Sequence, residues 1–166
     1  MGSRTGSWRR GHRGYSLLEV SVAITVIVAL MAVLVDRLWY YAELAEKRAM
    51  EDTVATLRKA MYLRSIELAG WGNLEGIRKM SRENPIRWLE VPPANYAGER
   101  DGALGYAPRE WYYDRKRLDL VYVPRNHRYL SGSPGGEIRF HTRLVEGKGG
   151  GVSGLIFEPE VAYIWF

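Results

Sequence analysis

The sequence predicts an α+β protein in which one long N-terminal helix packs on a small antiparallel sheet. Residues 15–35 form an apolar run whose one charged residue is Glu19. Residues 36–69 contain neither Pro nor Gly and are rich in strong helix formers. The last third of the chain alternates apolar and polar residues with a period of two, which is typical of strands. We therefore expect a leader at 1–14, a transmembrane helix segment at 15–35, its amphipathic continuation at 36–69 and a globular head at 70–166.

The first 14 residues form a basic leader that contains four arginines and no acidic residue. An excess of Arg predicts the cytoplasmic side of a membrane. Without these arginines the chain keeps 20 basic and 19 acidic residues, a net charge of +1. The formal net charge of +5 therefore comes mostly from the leader and does not indicate nucleic-acid binding.

The apolar run is long enough to cross a bilayer. At 1.5 Å per helical residue it spans roughly 30 Å, the thickness of the hydrocarbon core. A carboxylate at Glu19 costs on the order of a few kcal/mol there unless it is neutralised or paired. A secretory signal peptide has a shorter apolar region, of roughly 7–15 residues, and a cleavage site of small residues, which this run lacks. An uncleaved single-pass anchor remains an alternative, and in that case Glu19 has no role.

The junction Arg13-Gly14-Tyr15-Ser16-Leu17-Leu18-Glu19, followed by the apolar helix, resembles the N-terminus of type IV pilins and type II secretion pseudopilins. The resemblance implies that a prepilin peptidase cleaves after Gly14 and that Tyr15 becomes the N-methylated terminus. It also implies that Glu19 pairs with the terminal amine of a neighbouring subunit during assembly. Such pairing removes the cost of two charges at similar membrane depth.

Two features depart from the usual pattern of this family. The first mature residue is more often Phe than Tyr. Major pilins often carry a Pro late in the transmembrane segment, and none occurs here from Tyr15 to Ala69. The lack of Pro, together with the absence of Cys, favours a minor pilin or a pseudopilin.

The resemblance implies a structural subunit rather than an enzyme. The protein would cross the bacterial inner membrane once, with a cytoplasmic leader and a periplasmic head, and then enter a filament. Its partners would be copies of itself or other pilin-like subunits, the prepilin peptidase, an inner-membrane assembly platform and membrane lipid. The machine could be a secretion pseudopilus, an adhesive pilus or a DNA-uptake pilus.

The amphipathic half of the helix carries one apolar stripe, predicted to pack on the sheet. Its members follow each other at spacings of 4, 3 and 4: Met50, Val54, Leu57 and Met61. The charges predicted to lie on the other faces are Glu43, Glu46, Lys47, Glu51, Asp52 and Arg58. Glu43 and Lys47 have the spacing of a helical ion pair. Gly70 is predicted to cap the helix C-terminus.

Residues 71–109 are rich in Gly, Pro and Asn and predict an ordered loop. Asn73 could cap a short helix over 74–80, and Asn84-Pro85 could open a brief helical turn. The expected anchors of the loop are Trp88, Tyr96 and Tyr106.

The segments that follow predict three to four antiparallel strands. Residues 111–113 and 118–123 flank a polar connection of hairpin length at 114–117. Residues 138–144 alternate clearly. Residues 155–157 and 161–166 form a final apolar piece that is broken at Pro159.

No catalytic, metal or cofactor site is predicted. The histidines His12, His127 and His141 are scattered, there is no Cys, and no HExxH motif occurs. Major pseudopilins are known for a calcium-holding loop, for which the candidate ligands here would be Glu137, Glu146, Glu158 and Glu160. No D-x-D-x-D-G run supports calcium, so solvated surface charges are the favoured interpretation.

A DNA-binding minor pilin of a DNA-uptake machine is the second function considered. The candidate phosphate contacts are Arg115, Lys116, Arg117, Arg125 and Arg128, with tyrosines nearby. Basic residues at hairpin turns are also common as solvent-exposed side chains, which protect the edges of a sheet from pairing with other strands. The net charge of +1 after leader removal favours this second interpretation over nucleic-acid binding.

Overall fold

The computed structural model describes residues 16–102, 107–147 and 152–166, and the chain divides into two compact units between Tyr41 and Ala42. Helix α1 extends from Leu17 to Gly70 and belongs to both units. Helix α2 (Leu74–Met80) and a short 3₁₀ helix (Pro85–Trp88) follow it. A second 3₁₀ helix (Pro134–Gly136) lies between the later strands.

Helix α1 ends in a Schellman motif centred on Gly72. Gly72 has a φ of +68°, a conformation that glycine adopts without steric cost. Its N–H donates to the Ala69 carbonyl at 3.0 Å, and the Asn73 N–H donates to the Leu68 carbonyl at 2.9 Å. Gly70 is the last helical residue, so the prediction that it forms the cap is wrong by two positions.

The head contains two sheets. The described strands are β1 (Tyr96–Arg100), β2 (Trp111–Asp114), β3 (Asp119–Tyr122), β4 (Leu130–Ser131), β5 (Ile138–Glu146), β6 (Val152–Pro159) and β7 (Ile164–Trp165). Five form one sheet in the order β1-β2-β3-β5-β6, and β4 pairs with β7 in a second sheet. The fold is α+β as predicted, but β1 and β2 are parallel, so the large sheet is mixed and not purely antiparallel.

Strand β1 lies in the segment that the sequence predicted as a loop. Tyr96 is in register with Trp111 and Arg100 with Asp114, and the register shifts between Tyr96 and Glu99. Gly98, with a φ of +95°, lies inside this irregular stretch. The predicted anchor Tyr96 is partly buried against the core, whereas Tyr106 lies outside the described residues.

The hairpin of β2 and β3 forms as predicted, but its turn at 115–118 lies one residue later than the predicted connection at 114–117. Oδ1 of Asp114 accepts a hydrogen bond from the backbone N–H of Lys116 at 3.0 Å, which closes the turn. The predicted cap at Asn73 and the predicted helical turn that begins at Asn84-Pro85 are also confirmed, and Asn84 caps that turn. Oδ1 of Asn73 accepts from the Gly76 N–H at 2.8 Å, and Oδ1 of Asn84 accepts from the Ile86 N–H at 3.0 Å.

The hydrophobic core lies between the second half of α1 and one face of the large sheet. The predicted helical stripe is confirmed, because Met50, Val54, Leu57 and Met61 are all buried. Buried side chains of the strands complete the core: Trp111, Tyr113, Leu120, Tyr122, Ile138, Phe140, Phe157 and Trp165. Alternate residues of β2, β3 and β5 supply this face, as the period of two requires.

The strand residues that alternate with these core positions include buried charged side chains, which lie on the other face of the sheet. Asp114 and Asp119 face each other across β2 and β3 and are 1% and 4% exposed. Arg139 of β5 lies between carboxylates, with Nη2 2.8 Å from Oε2 of Glu137 and Nη1 3.5 Å from Oδ2 of Asp114. This arrangement compensates the buried charges.

Candidate functional site

The first candidate site is the apolar surface of the N-terminal half of α1. Large apolar side chains between Leu17 and Leu38 are exposed all round the helix, and Leu17 itself is 92% exposed. A window of this helix has a mean hydropathy of 2.7 and is 0% buried, which makes it long and apolar enough to cross a membrane. A helix that is apolar on every side requires a nonaqueous neighbour, either lipid or protein.

The hydroxyl groups of this segment hydrogen-bond within the helix. Oγ of Ser21 donates to the Leu18 carbonyl at 2.8 Å, and Oγ1 of Thr25 donates to the Ser21 carbonyl at 2.9 Å. Oγ of Ser16 accepts from the backbone N–H of Glu19 at 3.3 Å. Because these groups have partners inside the helix, they can enter an apolar medium at low cost.

Glu19 is the ionisable group of this surface. It lies in the first turn of α1 and is exposed. No salt bridge to Glu19 is present among residues 16–102, 107–147 and 152–166. Gly14 and Tyr15, the residues of the predicted cleavage site, lie outside the described residues.

Two buried carboxylates join α1 to the head. Glu43 is 3% exposed, and its Oε1 accepts hydrogen bonds from Nε1 of Trp165 at 3.0 Å and from the Tyr129 N–H at 3.2 Å. The sequence placed Glu43 on a solvent face, paired with Lys47. That prediction is wrong: Lys47 lies 3.7 Å from Oε1 of Glu51 instead.

Glu46 lies one turn further along and is 6% exposed. Its Oε1 accepts from the Tyr122 hydroxyl at 3.0 Å and from the Arg125 N–H at 2.7 Å. Its Oε2 lies 3.4 Å from Nε of Arg109. Burial, and then the nearby Glu46 charge, raise the pKa of the Tyr122 hydroxyl. Glu46 too was predicted on a solvent face and is instead buried. We call Glu43, Glu46 and their donors the carboxylate clasp.

The sequence does contain a signal for the clasp. The buried stripe of α1 continues toward the N-terminus at spacings of three and four, and these positions are Glu46 and Glu43. Because acidic side chains are rarely buried without a partner, the pattern alone favoured solvent exposure. The donors are supplied by residues far along the chain and only the fold brings them together.

The structure separates the predicted nucleic-acid contacts into two groups at opposite ends of β3. Arg115, Lys116 and Arg117 lie in the turn before β3, whereas Arg125 and Arg128 follow it. Nε of Arg115 is 2.9 Å from Oδ1 of Asp101. Arg117 contacts Oδ2 of Asp119 at 3.3 Å and Oε1 of Glu160 at 2.5 Å. Acidic residues therefore offset much of the charge of the first group.

The second group lies in an exposed loop that the clasp holds. Arg125 and Arg128 are both exposed, and the guanidinium of Arg128 lies 5.7 Å from the centre of the Tyr129 ring. Tyr129 in turn stacks on Phe166, with 5.0 Å between the ring centres. The backbone N–H groups of Arg125 and Tyr129 donate to Glu46 and Glu43, so this loop is fixed to α1.

Three of the carboxylates considered for calcium are engaged in ion pairs. Oε2 of Glu137 binds Arg139, Oε1 of Glu160 binds Arg117, and Oε1 of Glu158 lies 2.8 Å from Nε of Arg143. Glu146 is exposed. Hydrogen bonding to Arg143 lowers the pKa of Glu158. Within the described ranges no three acidic, His or Cys residues are grouped so that they could hold a metal ion.

Comparison with known proteins gives no match: no family model, no curated protein and no solved structure is significantly similar to this chain.

Proposed function

We propose that this protein is a structural subunit, a minor pilin or pseudopilin, of a type IV pilus-like or type II secretion filament. The subunit assembles through its apolar N-terminal helix after cleavage between Gly14 and Tyr15. The observation that carries the proposal is the single carboxylate, Glu19, near the start of a helix segment that is apolar and exposed on all sides. A surface of this kind needs lipid before assembly and neighbouring helices after it.

The proposed role of Glu19 is to bind the terminal amine of Tyr15 in an adjacent subunit. Four residues separate the two positions, which is ~6 Å along a helix. A neighbouring helix displaced by about one turn therefore brings its amine level with Glu19. Pairing removes two isolated charges from an apolar environment, and this free energy favours one particular stagger between subunits.

The head is proposed to lie in the periplasm, while the leader stays in the cytoplasm before its removal. The carboxylate clasp supports this role because it fixes β3 and β7 of the head to residues 43–46 of α1. The proposed partners are copies of this chain or other pilin-like subunits, a prepilin peptidase, an inner-membrane assembly platform and lipid. The proposed role is structural and not enzymatic.

Nucleic-acid binding is not favoured as the function. Arg115 and Arg117 already contact Asp101, Asp119 and Glu160, so a phosphate would have to compete with these carboxylates. Each such competition reduces the number of counterions that binding can release.

The test is intact mass measurement and N-terminal sequencing of protein extracted from the membranes of its own cells. A chain that begins at Tyr15 and carries one added methyl group supports the proposal. A chain that begins at Met1 or Gly2 indicates an uncleaved membrane anchor and overturns it. A Gly14→Val variant is the control, since a bulky side chain at the cleavage site should leave the leader in place.

A further inference from the structure

We propose that Asp119 is the proton-binding group of an acid-strengthened latch, which fastens the chain after β6 to the outer face of the large sheet. The latch is defined here as the two bonds that hold Glu160, one to the side chain of Arg117 and one to the backbone of Arg139. Protonation of Asp119 strengthens the latch, and ionisation of Asp119 weakens it. The inference rests on contacts within the head and is independent of the proposed function.

Glu160 is the first residue after β6 and is attached to the sheet at two points. Its backbone N–H donates to the Arg139 carbonyl at 2.8 Å. Its Oε1 lies 2.5 Å from Nη2 of Arg117, which belongs to the turn between β2 and β3. From Glu160 the chain leads to β7, where Trp165 is bound to Glu43. The latch therefore holds one end of the connection between β6 and β7, and the clasp holds the other.

Asp119, the first residue of β3, shares the guanidinium of Arg117 with Glu160. Its Oδ2 lies 3.3 Å from Nε of Arg117. The side chain of Asp119 is 6% exposed, whereas that of Glu160 is 34% exposed. Two ionised carboxylates on one guanidinium leave an excess of negative charge, and water screens that charge poorly where one of them is buried. Ionised Asp119 therefore repels Glu160 across the latch.

The second cation near Asp119 is shared as well. Nη1 of Arg139 lies 4.0 Å from Oδ2 of Asp119 but 3.5 Å from Oδ2 of Asp114. Nη2 of Arg139 lies 2.8 Å from Oε2 of Glu137. The two guanidiniums of Arg117 and Arg139 thus contact four carboxylates, those of Asp114, Asp119, Glu137 and Glu160. A proton on Asp119 removes part of this excess of negative charge at its most crowded point.

Tyr112, His141 and Glu158 are further titratable groups on this face of the sheet. The Tyr112 hydroxyl donates to Oε2 of Glu137 at 3.2 Å. Nε2 of His141 lies 3.9 Å from Oε1 of Glu158. Histidine is the side chain that most often changes its charge between about pH 5 and 8. His141 is therefore the competing proton-binding group, and the experiment must separate it from Asp119.

The sign of the pH dependence follows from the environment of Asp119. Burial, and then the charge of Glu160, raise the pKa of Asp119 above its ordinary value of 3.8, against the opposing effect of Arg117. The closed latch therefore binds a proton more tightly than an open state in which water reaches Asp119. The stability that this proton contributes is fully present below pH 3.8 and is lost as the pH rises through the raised pKa. For each pH unit that separates the two pKa values, the ratio of closed to open latch changes about tenfold.

Hydrogen exchange of the full chain in detergent micelles measures the latch directly. Mass spectrometry follows the peptide that contains residues 159–166, and each exchange rate is divided by the intrinsic rate at the same pH to give a protection factor. In the wild-type chain, this protection should rise as the pH is lowered from neutral to acid. Asp119→Asn is an uncharged mimic of the protonated acid. It should show the higher protection already at neutral pH and should respond less to acid.

Three further variants test whether Asp119 is the group responsible. Asp101→Asn removes an exposed aspartate that pairs with Arg115 and should keep the wild-type response to pH. His141→Gln should keep it too, whereas Glu160→Gln removes the charge that repels Asp119 and should reduce it. Parallel acid responses of the wild-type chain and Asp119→Asn would overturn the inference. A response that disappears in His141→Gln would overturn it as well.

A direct titration keeps the test decisive if Asp119→Asn does not fold. In the wild-type chain with isotope-labelled aspartate, the carboxyl resonance of Asp119 should titrate above pH 3.8. A midpoint at or below this value would overturn the inference. Both measurements concern the head alone, so their outcome does not depend on leader cleavage or on membership of a filament.

Discussion

Nε1 of Trp165 donates a hydrogen bond of 3.0 Å to Oε1 of Glu43, and the two residues are 122 positions apart in the sequence. Both side chains are buried, at 2% and 3% exposure. Neither group can turn to water if its partner is lost, so the pair couples β7 to α1. The clasp therefore predicts measurable effects on stability.

Replacing Glu46 should destabilise the head strongly. Glu46→Ala leaves the buried Tyr122 hydroxyl and the partly buried Arg125 N–H without their acceptor. We expect the free energy of unfolding to fall by about 3 kcal/mol, because each unsatisfied buried group costs about 1–3 kcal/mol. Chemical denaturation of the full chain in detergent, followed by tryptophan fluorescence, measures this. Glu51→Ala, which removes an exposed carboxylate, is the control and should cost less than about 1 kcal/mol; equal losses would contradict the role of the clasp.

The Trp165–Glu43 hydrogen bond can be removed while the aromatic ring is kept. Trp165→Phe should cost about 1–3 kcal/mol, since Glu43 then loses a donor and the core loses part of a ring. A double-mutant cycle with Glu43→Ala, which removes the acceptor, isolates the coupling between the two side chains. A coupling energy near zero would show that packing alone, and not the hydrogen bond, holds Trp165.

Two glycines with similar backbone conformations provide a matched pair. Gly132 has a φ of +80°, and a Cβ added there would lie 2.8 Å from the Ala162 carbonyl oxygen. Gly135 has a φ of +74°, with nothing within 4 Å of an added Cβ. Gly135→Ala should cost about 1 kcal/mol from backbone strain alone. Gly132→Ala should cost about 1–3 kcal/mol more because it also forces the chain apart at Ala162. Thermal unfolding of the two variants compares them, and equal costs would refute the steric argument.

Stability should fall at alkaline pH because of buried tyrosines. Burial, and then the charges of Glu99 and Asp119, raise the pKa of Tyr113 from 10.0 to about 12. Between these two values the unfolded chain loses the phenolic proton while the folded chain keeps it. The contribution is therefore fully present below pH 10 and is lost as the pH rises toward 12. Tyrosinate absorbance together with unfolding measurements tests this.

The control for this pH dependence is Tyr113→Phe. The variant loses the hydrogen bond from the Tyr113 hydroxyl to the Arg82 carbonyl and should be somewhat less stable at neutral pH. The stability that this variant loses at alkaline pH should be smaller, because one ionising tyrosine fewer contributes to the loss. If both proteins lose stability in parallel, other tyrosines such as Tyr122 account for the effect.

Glu19 should be required for filament assembly and not for insertion. Glu19→Ala or Glu19→Val should leave membrane insertion and leader cleavage intact, because an apolar side chain suits the helix better than a carboxylate. Incorporation into filaments should fail, since the terminal amine of the neighbouring subunit loses its partner. Fractionation and immunodetection of sheared filaments measure both steps. Ser21→Ala, whose hydroxyl bonds only within the helix, should assemble normally. Normal assembly of the Glu19 variants would remove the role proposed for Glu19.

The elements that depend on residues close together in the sequence could be predicted from it. The stripe from Met50 to Met61 has a helical period and was predicted correctly. The hairpin of β2 and β3 joins two runs of strand-forming residues and was also predicted, with its turn one residue too early. The cap at Asn73 depends on a side chain three residues from the N–H that it binds, and it was also predicted. The helical turn that begins at Asn84-Pro85 was predicted from its Pro, although the capping bond of Asn84 was not.

Features that depend on distant residues were missed. Strand β1 contains Ala97, Gly98 and Glu99, which have low strand propensity, and its pairing with β2 is what makes it a strand. Glu43 and Glu46 are buried because Tyr122, Arg125, Tyr129 and Trp165 supply donors, and no local pattern reveals those donors. Leader cleavage, filament membership and the pairing of Glu19 remain predictions of the N-terminal sequence.

The positions of β6 and β7 in the sequence determine when the head can fold during synthesis. The apolar face of α1 is made early, but Phe157 and Trp165, which help to cover it, are made only after the other strands of the large sheet. The Nε of Arg58 also gains its acceptor, the Phe157 carbonyl at 3.0 Å, only at that stage. If the head is translocated as proposed, it can close only after β6 and β7 have crossed the membrane. Until then the exposed stripe is a target for periplasmic chaperones and proteases, so the rate of translocation sets how long each new subunit is vulnerable.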